Sequence, residues 1–288
     1  MNALEIRGLS KSYKSLKGAE NKSFELKNID ITLPSGYIMG LIGENGAGKS
    51  TIIRLIMDLI KRDSGSVKIL GRDNKKDFAV TKEELGVVLD RPGFPECLDA
   101  RRINKVLSLT YKNWHSDQFY DYLKKFEIPE DKQFGKYSQG MQMKLAIAAA
   151  LSHDPKLLIL DEATNGLDPV ARDNVNDILM DFTRDESHSV LISSHIVSDL
   201  ERLCDYIAFL HKGELMLCEE KDRLLEEFAL IQCSKEDFER IPKSAVRGVK
   251  RSAYNVEAVA ERAALPEGVR TRPVTIEELF VFMVKEGV

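Results

Sequence analysis

The sequence predicts an α/β fold whose parallel strands end at a phosphate site, and two observations predict it. An apolar run, YIMGLIG, ends in the glycine-rich GENGAGKST and passes directly into IIRLIMDLI, where Ile52, Leu55, Ile56 and Leu59 follow the i, i+3, i+4, i+7 spacing of a helix. A second apolar run, LLILDE, ends in the two acids Asp161 and Glu162. Uninterrupted apolar strands are those buried on both faces of a parallel sheet. Ligands bind at the carboxyl ends of such strands.

The other elements follow in order. LEIRGLS and FELKNIDITL alternate apolar and polar residues, as half-buried strands do. After the predicted helix 52–59 come a turn, RDSGS, a short strand, VKIL, a second turn, GRDNKKD, and the apolar strand ELGVVLD. From Asp99 to Ser152 the pattern is helical, in RRINKVLSLTY, FYDYLKKF and, after a turn at Gly135–Gly140, MQMKLAIAAAL. HSVLISSH is a strand ending in His195, and YIAFLHKGELML is a hairpin turning at Lys212–Gly213. EEKDRLLEEFAL reads as an acidic helix. At the end, Thr275 and Glu278 form a capping box for a helix with Ile276, Leu279, Phe280 and Met283 on one face. The change of character near Glu219 predicts a domain of residues 1–218 and a small module of residues 219–288.

Composition limits the function. The chain has 288 residues, and 42 Lys and Arg against 46 Asp and Glu give a formal charge of −4, so nucleic acid is not held by general basicity. No apolar run approaches the roughly 20 residues that cross a bilayer, and the N-terminus lacks the pattern of a secretory signal. The four cysteines, at 97, 204, 218 and 233, form no CxxC pair, which suits reduced thiols in a cytosolic protein.

Gly43-Glu44-Asn45-Gly46-Ala47-Gly48-Lys49-Ser50, followed by Thr51, fits the G-x-x-x-x-G-K-[ST] phosphate loop. The glycines let backbone N–H groups converge on phosphate oxygens, and the following helix offers its positive end to the same anion. Lys49 is placed to bridge β- and γ-phosphates, and Ser50 to ligate Mg²⁺. Asp161 is the candidate second Mg²⁺ ligand, direct or through water, and Glu162 the group that polarises an attacking water. A bare glycine turn and an ordinary strand-end acid are the competing readings.

Between these sites lies Tyr137-Ser138-Gln139-Gly140-Met141-Gln142, at the start of a helix. It resembles the signature of the ATP-binding-cassette (ABC) ATPases. Ser138 and Gly140 match the family's core, whereas Tyr137, Gln139 and Met141 depart from it. Asn165-Gly166-Leu167-Asp168 looks like the family's D-loop, with Asp168 as its acid. His195 looks like its switch histidine, which orients the γ-phosphate or attacking water. Tyr13 stands where the family stacks an aromatic on adenine. The competing readings are a plain N-cap for Ser138, a packed edge aromatic for Tyr13 and a surface histidine for His195. The resemblance covers residues 1–218. It implies an ABC-ATPase core with an antiparallel β subdomain and a helical subdomain inserted at about 95–152, with a small C-terminal α+β module appended.

The resemblance also implies two ATP molecules buried in a head-to-tail dimer, each capped by Ser138, Gln139, Gly140 and Met141 of the other subunit. The family places a glutamine where this chain has Asp90, after ELGVVL. An aspartate there could ligate Mg²⁺ in the glutamine's stead, with Arg91 offsetting its charge or touching a partner. Asp90 in the glutamine's place, the YSQGM signature and the GYIMGLIGENGAGKST start together resemble a bacterial exporter subgroup, which implies export of antimicrobial or cytolytic peptides, of the phenol-soluble modulin or lantibiotic type, or of drugs. The expected partners are a transmembrane permease, docked by an amphipathic helix near Asp90–Leu109 with Phe94, Pro95 and Trp114 as candidate contacts, and a second ATP-binding subunit, identical or not. The expected location is the cytoplasmic face of the membrane. A soluble ABC ATPase outside transport and an ATP-dependent regulatory binder are the alternatives. The 219–288 module reads as a dimer or regulatory contact, or as simple self-packing.

Overall fold

The computed structural model describes residues 1–13, 24–252 and 255–285. The chain opens with β1 (Asn2–Tyr13), β2 (Phe24–Pro34) and β3 (Ile38–Gly43), then helix α1 (Lys49–Ile56). Strands β4 (Ser64–Ile69) and β5 (Arg72–Asp73), the single turn α2 (Phe78–Thr81) and β6 (Leu85–Val88) follow. Helices α3 (Ala100–Thr110), α4 (Ser116–Lys125) and α5 (Gln139–Leu151) come before β7 (Leu157–Asp161), α6 (Pro169–Phe182), β8 (Ser189–Ser194), α7 (Val197–Leu203), β9 (Tyr206–His211) and β10 (Glu214–Glu220). The last stretch holds α8 (Lys221–Glu227), β11 (Phe228–Cys233), α9 (Lys235–Phe238), β12 (Val246–Arg251), β13 (Val256–Glu261), β14 (Thr271–Arg272) and α10 (Ile276–Val284).

These strands form three sheets. One is antiparallel, in the order β2-β1-β4-β5. The second runs β10-β9-β3-β8-β7-β6; all its strands are parallel except the edge strand β10, the return arm of a hairpin. The third is β12-β13-β11-β14. Strands β3, β7 and β8 are buried at every residue, as their apolar runs predict.

Helix α1 fills the space between the first two sheets. Its Ile52, Ile53, Leu55 and Ile56 join Leu4, Ile6 and Ile31 of the antiparallel sheet and Met39, Leu41 and Ile159 of the parallel one in a single core. On the far side of the parallel sheet, a larger core gathers α3, α4 and α5 with α6, α7 and α10. The third sheet has its own small core around Ile231, Phe238, Val256 and Ala258. Helix α10 joins that module to the rest: Phe280 meets Phe209 of β9 edge to face, with ring centres 5.2 Å apart.

Four local expectations need correction. Helix α1 stops at Ile56, so Leu59 is not on its buried face; it is exposed, one residue after Asp58, whose φ of 50° is incompatible with a continuing helix. The RDSGS turn is already strand from Ser64, because β4 pairs with β1 there. The Gly135–Gly140 turn is a short 3₁₀ turn at Phe134–Lys136, and α5 already begins at Gln139. The acidic helix is limited to Lys221–Glu227: Glu219 and Glu220 complete β10, and Phe228–Leu230 are buried in β11 opposite β13. The capping box of α10 forms as expected, with Thr275 accepting from the Glu278 amide. Among the described residues, no helix is long and apolar enough to cross a membrane.

Candidate functional site

The carboxyl ends of β3, β6, β7 and β8 open on one cavity of about 660 Å³. Its walls include Glu44, Asn45, Gly46, Gly48, Lys49, Ser50 and Thr51 from the glycine loop. Asp90, Arg91, Gln139, Glu162, Asn165 and His195 face them, and Phe24 closes one end. Gly48 has a φ of 114° and caps α1, and a Cβ there would lie 2.8 Å from the Phe24 ring. Only glycine fits both constraints. The first turn of α1 has no side-chain cap and no acid, which leaves its amides to an anion. The loop is braced from behind by the β9–β10 hairpin, where the Gly213 amide donates to the Ala47 carbonyl at 3.0 Å. A Cβ on Gly213 would strike the Glu25 carbonyl, so this turn also requires glycine.

Lys49 is almost fully buried. Its ammonium donates to the Gly43 carbonyl at 2.6 Å and lies 3.1 Å from Glu162 Oε1. The other oxygen, Oε2, accepts from Asn165 Nδ2 at 2.7 Å and from His195 Nδ1 at 2.9 Å. Burial alone would raise the Glu162 carboxyl, but the His195 hydrogen bond and the Lys49 charge outweigh it and hold the group below its ordinary value. Glu162 therefore stays a carboxylate, with its proton-accepting oxygens aimed by three donors. Its φ of 52° lies in the left-handed region, a strain of order 1–3 kcal/mol for a non-glycine residue. The Glu162 amide donates to Ser193 Oγ at 3.0 Å, which helps hold this conformation.

Asp161 is buried behind the cavity wall and accepts from Ser193 Oγ at 2.7 Å. Burial pushes its carboxyl upward, against the lowering pull of hydrogen bonds from Ser193 and Ser50, and the charges of Asp90 and Glu162 push the same way as burial. A buried carboxyl made costly by its own charge is a place for a cation. Ser50, Asp161 and Asp90 offer only oxygen donors, the set Mg²⁺ takes. Among the described residues, no group of three or more His, Cys, Asp or Glu forms a ready cage.

Several predicted residues lie elsewhere. Tyr13 is exposed at the end of β1 and does not line the cavity; Phe24, paired across from it in register, does. Ser138 caps α5, accepting from the Met141 amide at 3.3 Å, and Asp168 caps α6, accepting from the Ala171 amide at 2.9 Å. Ser138, Gly140, Met141 and Asp168 are not in the cavity wall of their own chain. Gly140 instead packs on the Asn165–Asp168 loop, where a Cβ would lie 3.1 Å from the Gly166 carbonyl. Sequence reasoning missed Phe24, the role of Asn165 on Glu162, and the Ser193 hydroxyl that links Asp161 to the Glu162 amide. The first was detectable as the aromatic facing Tyr13 across a predicted strand pair. The other two needed the fold.

A second hollow of about 390 Å³ lies beside the first. It is mostly apolar, lined by Met57, Leu59, Phe94, Leu107, Tyr111 and Ala146 among others, and Arg91 lines both cavities. His153 at its floor is buried and kept neutral by desolvation, and its Nε2–H donates to the Leu85 carbonyl. Phe94 is in this wall, whereas Pro95 and Trp114 are not. Trp114 packs between Tyr111 and Phe119 and donates to Asn104.

Comparison with known proteins agrees with this geometry. The ABC transporter family profile matches residues 26–165. The lantibiotic transport ATP-binding protein SrtF of Streptococcus pyogenes is 35% identical over 222 residues, 76% of this chain and 91% of its own. The chain belongs to the ABC transporter ATP-binding family. The ABC transporter ATP-binding protein YtrB of Bacillus subtilis is similar over nearly the whole length, 29% identical across 96% of this chain and 97% of its own. Bacitracin transport ATP-binding protein BcrA of Bacillus licheniformis is 35% identical over 74% of this chain and 68% of its own. A solved structure of an ATP-binding subunit of an ABC transporter superimposes with a TM-score of 0.67 at 25% identity, covering 77% of this chain and 91% of that one. The α/β fold with its antiparallel and parallel sheets is therefore that of an ABC ATPase, and the protein is an ATP-hydrolysing ABC subunit.

Proposed function

We propose that this ATPase powers export of a peptide or drug-like compound through a separate transmembrane permease, from the cytoplasmic face of a bacterial membrane. The observation that carries the reading is Arg91, which lines both the nucleotide cavity and the apolar hollow beside it. An amphipathic segment of the permease fits that hollow, with Leu59, Phe94 and Leu107 as its apolar floor. Occupancy of one cavity is then felt in the other through Asp90–Arg91. The names of the bacitracin and lantibiotic relatives support the exporter reading. Residues 1–218 act as the motor, with residues 95–152 as its helical arm, and residues 219–288 as an accessory module.

In this reading ATP lies with its phosphates on the amides of residues 43–51 and its base toward Phe24, with Tyr13 beside it. Ser50, Asp161 and Asp90 would hold Mg²⁺, which would supply charge neutralisation on the phosphates. Lys49 exchanges its contact with Glu162 for the phosphate oxygens. Glu162, released from Lys49, accepts the hydrogen bond of the attacking water, and His195 and Asn165 keep the carboxylate in place. Ser138, Gln139, Gly140, Met141 and Asp168 belong to the face that closes on a second ATP-binding subunit, identical or homologous. The helix start at Ser138 supplies the anion site there.

Two measurements test this. The Glu162→Gln variant should form an ATP-dependent dimer visible by light scattering; a strictly monomeric variant at saturating ATP and Mg²⁺ overturns the paired-subunit mechanism. Purification from membranes should bring down an integral-membrane protein, and Phe94→Glu should release it. Retention of that partner by Phe94→Glu removes the apolar hollow from the coupling surface.

A further inference from the structure

We propose that Arg172 and Asp199 are a positioning pair that couples the Asn165–Asp168 loop to the helix after His195, and that turnover depends on their charges. The proposal rests on the reading of Glu162 and His195 as the hydrolytic residues. Arg172, in the first turn of α6, places Nη1 2.9 Å from Asp199 Oδ2 in α7. Its Nη2 donates to the Leu167 carbonyl at 3.4 Å. One guanidinium thus holds both the loop and the helix. The same loop gives Asn165 Nδ2 to Glu162, while Asp199 stands four residues after His195, whose Nδ1 meets the same carboxylate oxygen. The loop and the switch helix are therefore joined twice, once through Glu162 and once through Arg172.

The second joint is unfinished. Both side chains are largely buried, 23% and 17% exposed, and the 2.9 Å contact misses the direction a hydrogen bond needs. Arg172 Nε and Asp199 Oδ2 are both buried without a hydrogen-bond partner among the described residues. Burying a charge pair without its hydrogen bonds is costly, and a two-pronged Arg–carboxylate fork would recover them. A small shift of α7 against α6 completes or breaks that fork, which makes the pair a two-position contact and not a fixed brace. Val197, Leu200 and Leu203 of α7 are buried with Phe280 of α10 in one core, and the Lys221 ammonium donates to the Glu201 carbonyl of α7 at 3.0 Å.

The test is a double-mutant cycle on the full chain with Arg172→Met and Asp199→Asn, reading kcat, KM for ATP and Tm. Each single variant should lower kcat about tenfold, within the range of residues that couple two sites, with KM within about twofold because the phosphate loop is untouched. The double variant should be no slower than the worse single one, since the second change removes an interaction already lost. A fall in Tm with kcat unchanged, or losses that multiply, overturns the proposal. If Arg172→Met does not fold, Arg172→Gln, which removes the charge but keeps a polar side chain, replaces it under the same criteria. Glu162→Gln is run alongside. If it keeps wild-type turnover, the reading of the hydrolytic residues fails, whatever the cycle shows for the pair.

Discussion

The ATPase core and the C-terminal module are both built around buried apolar strands, yet only one concentrates chemistry. In the core, the parallel strands β3, β6, β7 and β8 end together, and their polar ends are forced into one partly desolvated space. Asp161 is raised by burial there, Glu162 is held in the left-handed region, and Lys49 is almost fully covered. In the module, the strands β11 to β13 pair antiparallel, so their ends point alternately in opposite directions and no single edge gathers the polar groups. One of its ion pairs, Arg272 with Glu278, is partly exposed and tied to the capping box of α10. Parallel topology collects functional groups because every strand points the same way. Antiparallel topology sends alternate ends to opposite sides.

The largest expected contrast is in turnover. Glu162→Gln should lower kcat by about 10²–10⁴-fold, the usual worth of a general base, in a protein that still unfolds in a single transition because shape and burial are kept. An equal loss from Arg272→Gln in the module, measured in the same ATPase assay, would abolish the division of labour.

Next comes the joint between the two regions. Phe280→Ala removes a buried ring that meets Phe209 and should cost roughly 3–5 kcal/mol by urea unfolding. Because α10 packs with α7 in one core, the variant should unfold in one transition. Two separated transitions would show that the module folds by itself and merely leans on the core.

A smaller effect tests the electrostatics of the site. The Glu162 carboxyl is depressed in the folded protein, so its ionised form contributes stability above the ordinary glutamate value of 4.5, and this contribution is lost as pH falls through the depressed value. The stability gap between wild type and Glu162→Gln should therefore shrink below pH 4.5. A gap that widens on acidification would mean that burial, and not His195 and Lys49, governs this carboxyl.

How much of this was legible in the sequence follows the same division. Short-range order was readable: the glycine loop between strand and helix, the acids ending LLILDE, Ser138 as an N-cap and the Thr275–Glu278 box are all local patterns. Contacts across strands were not. Ser193 lies 32 residues from Asp161, and it is one of two adjacent serines in VLISSH until β8 is placed beside β7. Phe24 takes its place at the cavity because β2 pairs with β1 in a register that sets it opposite Tyr13. Leu59 failed for a different reason. Its spacing is perfectly helical, but α1 is confined between two sheets and the chain must turn at Asp58, so tertiary geometry overrode the periodicity.

The smallest prediction isolates local order in the module. Thr275 accepts the Glu278 amide at 3.1 Å, while Glu278 Oε2 accepts the Thr275 amide at 3.1 Å. Thr275→Ala removes the first bond and leaves an exposed amide to water, so about 1 kcal/mol of stability is expected to be lost. The bidentate Arg272 holds Glu278 in position even without Thr275, which limits the damage to the first turn of α10. Among the described residues, helix α10 meets the ATPase core through apolar packing on α7 and on Phe209 of β9, and fraying the first turn leaves Leu279 and Phe280 buried. Turnover should thus be unchanged while the urea midpoint falls slightly. A drop in kcat without a matching loss of stability would mean that the end of α10 communicates with the switch helix directly, and the module would then have to be counted as part of the motor.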